Sequence, residues 1–260
     1  MSDWRPRLVA LDVDGTVVDY ANRLSPAVHA SVNAMRDSGV EVVIATGRAV
    51  PGVLNCADKL GFEGYAIASN GALVISYRPL EILNAVTFDA SEAVGRIVER
   101  IPDALVAVEE IGVGYRVSAP FPAGEITGTI TVQSVEELVA EPVTRVIVRA
   151  PERSVNEFHT LADELGLEDT NYYVGYTAWL DIAPQGVSKA SGLQVLCDKL
   201  GVDASDVLAV GDGNNDVEML QWAGRGVAMG QAPDLLKDVA DDVTGSIEED
   251  GLVAELRRYL

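Results

Sequence analysis

Cysteine and histidine are scarce in this sequence. Its 260 residues include two cysteines, Cys56 and Cys197, and two histidines, His29 and His159. Neither histidine has partners at metal-ligand spacing, so we expect surface or packing roles for both. The cysteines lie in separate segments with helical patterns, and we predict free, buried thiols in a reducing cytosol. A chain of this length has a core large enough to need no cross-links.

Basic residues are also few. Nineteen lysines and arginines against 40 aspartates and glutamates give a formal net charge of -21. This excess argues against nucleic acid and anionic membranes as partners, and an anionic substrate would need local positive charge at its site. No apolar stretch has membrane-spanning length, and the apolar run after MSDWRPR is too short for a signal peptide. We predict a cytoplasmic protein, either a monomer or a homodimer.

The first 70 residues alternate between strand and helix patterns. Helix starts and stops are well marked, as where Ser25 and Pro26 precede an apolar helical stripe that ends at Gly39. Strand–helix alternation predicts right-handed crossovers and a parallel, doubly wound α/β sheet. The next segments, NGALVIS and PLEILNAV, predict a hairpin that leaves this sheet. The predicted strands are 7–13, 41–46 and 65–69, and the predicted helices are 25–39 and 50–61.

The middle of the chain, residues 84–183, has short alternating strands and two helices, predicted over 91–101 and 154–165. This pattern predicts an α+β domain with antiparallel strands. Strand–helix alternation then resumes, with helices over 188–200 and 214–222, strands over 207–210 and 226–229, and a last helix ending at Leu260. The simplest organisation is one doubly wound core, residues 1–83 and 184–260, interrupted by the inserted domain 84–183.

Two aspartates end the first strand, in the stretch LVALDVDGTVVDY. Alternate residues of a strand point the same way, so Asp12 and Asp14 would both enter the crevice at the carboxyl end of the sheet. The sequence D-G-T is also a good turn, and the stretch alone fits either interpretation. An EF-hand loop is excluded because Gly15 stands at its fourth position instead of the sixth.

A second acidic strand end occurs in GDGNNDVEML, residues 211–220. Two of its residues have a purely structural explanation. Asn214 is suited to cap a helix, and Asp216 in the first helical turn suits the helix dipole. That explanation does not account for Asp212 facing the same crevice as Asp12. Converging carboxylates repel, protonate or hold a hard cation, and Mg²⁺ is the natural occupant.

Two further segments offer groups that bind phosphate. TGR, residues 46–48, places a hydroxyl and backbone N–H groups after the second strand, where Thr46 is equally suited to cap a helix. Lys189 follows the predicted cap Ser188, and a lysine in a first helical turn opposes the helix dipole. A surface role is the simpler interpretation of Lys189. Close to acidic strand ends, it would instead pair with a carboxylate and a phosphoryl oxygen.

The order DVDGT, TGR, lysine and GDGNND closely resembles the haloacid dehalogenase superfamily. SNGA at 69–72, the insertion between TGR and the lysine, and the tail AGRGVAMGQAPDLLKDVADDVTGSIEEDG resemble its Cof-type branch, which has an α+β cap called C2B. The resemblance implies that Asp12 is the nucleophile and forms an aspartyl-phosphate, and that Asp14 is the general acid and then the general base. It also implies a Mg²⁺ site, phosphate-binding residues and further contacts to substrate or to neighbouring site residues. The implied sets are Asp12, Asp14 (through its carbonyl), Asp212 and Asp216 for Mg²⁺; Thr46, Gly47 and Lys189 for phosphate; and Arg48, Asn70 and Asn215 for the further contacts.

These assignments predict a Mg²⁺-dependent phosphatase that acts on a small phosphorylated metabolite, a sugar phosphate in particular. A phosphotransferase of the phosphomannomutase type is one alternative, and a regulator that binds a phosphometabolite without turnover is another. In the inserted domain, Arg145 and Arg149 would share a strand face, and a solvent-facing strand edge is the favoured interpretation for both. We expect packing roles for the aromatic residues Tyr172, Tyr173, Tyr176 and Trp179.

Overall fold

The computed structural model describes residues 4–61, 63–152, 170–174 and 179–260. The predicted helix over 154–165, with His159, and the predicted Tyr176 packing position lie outside these residues. The chain divides into two compact units. The first comprises Met1–Gly47, Val53–Asn84 and Ser188–Leu260, and the second comprises Arg48–Gly52 and Ala85–Val187. The predicted insertion covered 84–183 and did not include the short segment Arg48–Gly52.

An eight-stranded sheet forms the centre of the first unit, in the order β14-β13-β12-β1-β2-β3-β4-β5. The six strands from β14 to β3 are parallel, with β1 between β12 and β2. The strands are β1 (Leu8–Leu11), β2 (Glu41–Ala45), β3 (Gly64–Ala68), β4 (Leu73–Tyr77), β5 (Glu81–Ala85), β12 (Val207–Gly211), β13 (Arg225–Ala228) and β14 (Asp242–Val243). The predicted doubly wound α/β fold is therefore confirmed.

Helices accompany this sheet. Its central strands are nearly continuous apolar runs, which is typical of strands that are covered on both faces. All four residues of β1, LVAL, are buried, as expected for a central parallel strand. The helices are α1 (Pro26–Asp37), α2 (Val50–Leu60), α5 (Lys189–Leu200), α6 (Val217–Trp222), α7 (Asp234–Val239) and α8 (Gly251–Leu256). Ser25 caps α1 as predicted, because its side chain accepts a hydrogen bond from the Val28 N–H. Sequence patterns missed the short elements α7 and β14.

The hairpin prediction was wrong in one respect. Strand β4 pairs antiparallel with β3, and β5 lies next to β4, so the hairpin extends the sheet instead of leaving it. The reason is burial: four of the five residues of β4 are buried, and exposing them would cost about 25 cal/mol per Å² of apolar surface. Cys56 in α2 and Cys197 in α5 are buried free thiols, as predicted.

The second unit contains a six-stranded sheet in the order β10-β11-β9-β6-β7-β8. Its pairs are antiparallel except β7 with β8, which is parallel. Alternating apolar residues predict a half-buried strand but not its direction, which explains this departure. The elements are β6 (Leu105–Glu110), β7 (Gly114–Val117), β8 (Thr129–Val132), β9 (Val146–Arg149), β10 (Thr170–Val174) and β11 (Trp179–Pro184), with helices α3 (Ser91–Arg100) and α4 (Val135–Leu138).

Arg145 and Arg149 are not on a solvent-facing edge, so that interpretation was wrong. Strand β9 lies between β11 and β6, and both arginines are buried. The Arg145 Nε donates to Asp181 Oδ1 over 2.6 Å, and the Arg149 Nε donates to Glu125 Oε2 over 2.9 Å. A buried guanidinium is tolerated here because a carboxylate neutralises it. The partners are distant in sequence, so the strand pattern could not reveal them.

Candidate active site

The candidate site lies at the topological switch point of the doubly wound sheet, where the strand order reverses. From β1 the chain proceeds through β2 and β3 on one side, while β12, β13 and β14 occupy the other side. Loops at such a switch point diverge and leave a crevice at the carboxyl ends of the strands. Asp12 and Asp212 follow β1 and β12 there, and the Asp12 N–H still donates to the Val210 carbonyl over 3.0 Å.

The loop after β1 is a tight turn. The amides of Val17 and Val18 both donate to the Val13 carbonyl, and the Gly15 amide donates to the Val18 carbonyl over 2.8 Å. This fold leaves the Asp12 side chain buried and Asp14 exposed. Gly15 has a φ of +88°, and a Cβ at this position would lie 2.1 Å from Asp212 Oδ2. Only glycine fits, because it adopts this φ and lets the Asp212 carboxylate approach the backbone.

Lys189 is completely buried and joins two acidic residues. Its Nζ donates to Asp12 Oδ1 and to Asp216 Oδ1, each over 2.6 Å. Burial lowers the pKa of Lys189, but the two carboxylates raise it by more, so the net pKa lies above its ordinary value. The ammonium group therefore remains charged, and the two ion pairs outweigh its unfavourable place in the first turn of α5.

Asp216 holds both the lysine and the loop after β12. Its Oδ2 accepts hydrogen bonds from the amides of Asp212, over 3.0 Å, and Gly213, over 2.9 Å. Since Lys189 occupies the other oxygen, both Asp216 oxygens have donors. Gly211 makes this possible, because a Cβ there would lie 2.4 Å from the Asp216 carboxyl carbon.

Three buried carboxylates converge at the site. Asp12, Asp212 and Asp216 each offer an oxygen, and these oxygens lie within 4.8 Å of one another. Burial raises the pKa of Asp12 well above its usual range, Lys189 opposes that rise, and the neighbouring carboxylates add to it. Burial also raises the pKa of Asp212, against a hydrogen bond from Tyr20. A divalent cation would offset this repulsion, and an all-oxygen, anionic donor set suits Mg²⁺.

Two carboxylate oxygens in this group are open to such an ion. Lys189 donates to Oδ1 of Asp12, and the side chains around Asp212 donate to its Oδ2. Within the described part of the chain, no donor reaches Asp12 Oδ2 or Asp212 Oδ1. The carboxylate of Asp14 is not one of the three, so its predicted contribution to a metal site rests on its backbone carbonyl.

The predicted phosphate-binding segment joins the same region through Asn70. Thr46 is buried after β2, and its carbonyl accepts from the Asn70 N–H over 3.1 Å. Asn70 has a left-handed φ of 53°, and its Oδ1 accepts from Asn215 Nδ2 over 2.9 Å. A Cβ on Gly47 would lie 3.0 Å from the same oxygen. The structure thus brings together three loops that are distant in sequence. One contains Thr46 and Gly47, the second contains Asn70, and the third contains Asn215.

The turn at 69–71 also positions Lys189. Gly71 has a φ of +106°, and a Cβ there would lie 2.0 Å from the Ser188 carbonyl oxygen. The turn therefore packs directly on the start of α5, where Ser188 and Ser191 cap the helix reciprocally. Arg48 is half-buried and belongs to the segment that groups with the second unit.

Sequence reasoning missed two residues of the site, Tyr20 and Gln231. The Tyr20 hydroxyl donates to Asp212 Oδ2 over 2.6 Å, and Gln231 Nε2 lies 3.3 Å from the same oxygen. Gln231 follows β13, the strand next to β12, so its place after a further strand end of the same sheet was a usable signal. Tyr20 gave no such signal, because it lies in a polar loop with no periodic pattern.

Comparisons with known proteins identify the family and the fold. Residues 9–256 match the model of the haloacid dehalogenase-like hydrolase family. The chain is 28% identical to the 5-amino-6-(5-phospho-D-ribitylamino)uracil phosphatase of Bacillus subtilis, over 98% of both chains, and 28% identical to a phosphoglycolate phosphatase of Methanopyrus kandleri, over 97% of both chains.

Solved structures show the same fold. A phosphatase of the superfamily from Bacteroides thetaiotaomicron matches with a TM-score of 0.80 and 29% identity, over 98% of this chain and 95% of that one. A sugar phosphatase of HAD subclass IIB matches with a TM-score of 0.83 at 23% identity, over 97% and 98%. In the described part of the chain, no helix is long and apolar enough to cross a membrane. The chain belongs to the haloacid dehalogenase-like hydrolase family, in its Cof-type branch, and is a phosphate-ester hydrolase.

Proposed function

We propose that this chain is a Mg²⁺-dependent phosphomonoesterase that uses Asp12 as its nucleophile and releases phosphate from a sugar phosphate. The observation that carries the proposal is the state of the Asp12 carboxylate. One of its oxygens is fixed by Lys189 at 2.6 Å, and its other oxygen has no donor among the described residues. A buried carboxylate that a lysine holds in one orientation is suited to attack phosphorus.

The first half of the reaction would form an aspartyl-phosphate. An Asp12 oxygen forms a bond to phosphorus while the bond from phosphorus to the substrate oxygen breaks. Asp14 donates a proton to that leaving oxygen, so an alcohol departs. Bound Mg²⁺, held by Asp12, Asp212 and the Asp14 carbonyl, would supply charge that lets a phosphate dianion enter an acidic protein.

The second half would restore the enzyme. Asp14 accepts a proton from water as the water oxygen attacks phosphorus, and the bond from phosphorus to Asp12 breaks. The exposure of Asp14 supports this double role, because an exposed carboxylate is accessible to a water molecule. Phosphate leaves, and both aspartates return to their starting states.

The remaining site residues would hold the phosphoryl group and the loops. Lys189, together with the hydroxyl of Thr46 and the backbone of Gly47, would neutralise and orient the phosphoryl oxygens. Asp216 has both oxygens bonded, which supports a role in holding Lys189 and the loop after β12. Asn70 and Asn215 link the phosphate-binding loop to that same loop.

A neutral leaving group is supported by the charges of the second unit. Its buried arginines Arg145 and Arg149 are paired with Asp181 and Glu125, so neither charge is left over for a carboxylate on the substrate. Named relatives include a phosphatase of a ribityl phosphate compound and a sugar phosphatase. Both facts favour a phosphorylated sugar or polyol over a phosphorylated acid such as phosphoglycolate, the substrate that other relatives are named for. Arg48, in a segment that groups with this unit, remains a candidate contact to the substrate.

The experiment is phosphate release from matched substrate pairs in Mg²⁺. Glucose 6-phosphate is compared with 6-phosphogluconate, and glycerol 3-phosphate with 3-phosphoglycerate. We expect a higher kcat/KM for the neutral member of each pair and no release in EDTA. Transfer to a second sugar that depends on a bisphosphate would establish the phosphomannomutase type instead. Binding without release would establish the regulator.

A further inference from the structure

We propose that Tyr20 is a positioning residue that fixes the Asp212 carboxylate for cation binding. The inference rests on the proposed Mg²⁺-dependent function. The Tyr20 hydroxyl donates to Asp212 Oδ2 over 2.6 Å, across 192 positions of sequence. Tyr20 is exposed over 62% of its surface, so the contact of its hydroxyl with Asp212 is not a product of burial in the core.

The Asp212 carboxylate is constrained on three sides. Tyr20 and Gln231 both donate to Oδ2, and the α-carbon of Gly15 lies against the same oxygen. No donor among the described residues reaches Oδ1. The arrangement therefore fixes the rotation of the carboxylate and leaves one oxygen to face a cation. Hydrogen bonds to the non-ligating oxygen orient a metal ligand and strengthen its binding.

Gln231 is a rigid part of this arrangement. Its Nε2 also donates to the Gly15 carbonyl over 2.7 Å, and its Oε1 accepts from the Ile247 N–H over 2.9 Å. These contacts define which end of the amide faces Asp212, because an oxygen there would oppose the Gly15 carbonyl. Gln231 therefore supports three segments at once, and changing it would disturb more than the carboxylate.

Tyr20 lies in a loop whose backbone is held in place by hydrogen bonds that do not involve the Tyr20 hydroxyl. The Asp19 carboxylate accepts from the amides of Ala21, over 2.9 Å, and Arg23, over 2.8 Å. The Lys59 Nζ donates to the Asn22 carbonyl over 2.6 Å and ties the loop to α2. The backbone of the loop is thus fixed without the Tyr20 hydroxyl. Removing that hydroxyl should change the Asp212 carboxylate and leave the loop in place.

The test is the Tyr20→Phe variant of the full chain, studied without substrate. Isothermal titration with MgCl₂ gives the Mg²⁺ dissociation constant, and we expect it to rise by roughly 10- to 100-fold. The matched control is Tyr65→Phe, at a half-buried tyrosine on β3 of the same unit. We expect wild-type Mg²⁺ affinity in that control, and wild-type thermal stability in EDTA for both variants.

A second measurement separates positioning from a general structural effect. In a positioning role, raising the Mg²⁺ concentration should restore the kcat of Tyr20→Phe toward wild type, whereas a structural defect would persist. Equal Mg²⁺ affinity in wild type and Tyr20→Phe would overturn the inference alone. A wild-type chain that binds no Mg²⁺ would overturn the proposed function and the inference with it.

Discussion

Lys189 and Asp12, 177 positions apart in the sequence, are joined by a 2.6 Å ion pair inside the protein. The lysine is fully buried, and its second partner Asp216 lies at the same distance. Breaking a buried pair by removing one partner leaves an uncompensated charge, which costs about 3–5 kcal/mol. The lysine that orients the candidate nucleophile is therefore also required for the stability of the fold.

Replacing the lysine tests this double role. We expect Lys189→Met to lower the free energy of unfolding by about 3–5 kcal/mol, because Asp12 and Asp216 lose their cation. Urea denaturation in EDTA measures the loss, and phosphate release should fall below detection. The control is Lys199→Met near the end of α5, which we expect to change stability by about 0.5 kcal/mol or less. Equal stabilities of the two variants would contradict the account.

Replacing Gly15 tests whether the site requires the Asp212 carboxylate to lie close to the backbone at this position. Gly15→Ala forces a Cβ to within 2.1 Å of Asp212 Oδ2, at a φ of +88°. Gly39 has a similar φ of +91° but nothing within 4 Å of its Cβ position, so Gly39→Ala bears only the backbone cost, about 1–2 kcal/mol. We expect Gly15→Ala to abolish phosphate release and Mg²⁺-dependent thermal stabilisation, while Gly39→Ala retains both. Retained Mg²⁺ binding in Gly15→Ala would show that Asp212 does not contribute as described.

The burial of Asp12 lowers the free energy of unfolding by an amount that depends on pH. Its folded-state pKa is raised mainly by burial, so the folded state holds a proton that the unfolded state releases as the pH rises above about 4. Folding stability attributable to Asp12 is therefore lost with increasing pH, up to the raised folded pKa. We expect Asp12→Asn to be more stable than wild type in EDTA, by a margin that grows with pH, because Lys189 keeps its ion pair with Asp216 while the burial cost of one carboxylate is removed.

Urea denaturation at several pH values checks this sign. Saturating Mg²⁺ should reverse the order, because the ion stabilises the wild-type carboxylates and has less to bind in the variant. A margin that shrinks as the pH rises would mean that Lys189 outweighs burial and holds the Asp12 pKa low.

Asn70 tests the link between the phosphate-binding loop and the loop after β12. Asn70→Gly keeps the left-handed φ of 53° without strain but removes the acceptor for Asn215. We expect near-wild-type stability and a KM raised by roughly 10-fold, consistent with a lost interaction of about 1–1.5 kcal/mol. Steady-state kinetics with a neutral sugar phosphate measures the change. An unchanged KM would remove Asn70 from the substrate-binding network.

Much of the candidate site was predictable because its acidic side chains follow strand ends. Asp12 and Asp212 lie after continuous apolar runs, and parallel strands bring such ends to one edge of the sheet. Lys189 stood out because its place in a first helical turn is unfavourable without a nearby anion. The structure supplies that anion twice, which the sequence pattern alone could not establish.

Other features depend on tertiary contacts that have no local pattern. Tyr20 reaches Asp212 from a polar loop, and nothing in its neighbours distinguishes it from a surface residue. Arg145 has the alternation of a solvent-facing position, yet it pairs with Asp181 on the neighbouring strand β11. The direction of the hairpin after β3 likewise depends on which apolar faces find a partner.

The nucleophile assignment is tested most directly with the Asp14→Asn variant and p-nitrophenyl phosphate. This substrate has a leaving group that departs without a proton, so attack by Asp12 should proceed while hydrolysis of the aspartyl-phosphate stalls. We predict a burst of p-nitrophenolate equal to the enzyme concentration, with the mass of one phosphoryl group added to the peptide that contains Asp12. No burst and no adduct, together with wild-type turnover by Asp12→Asn, would contradict it.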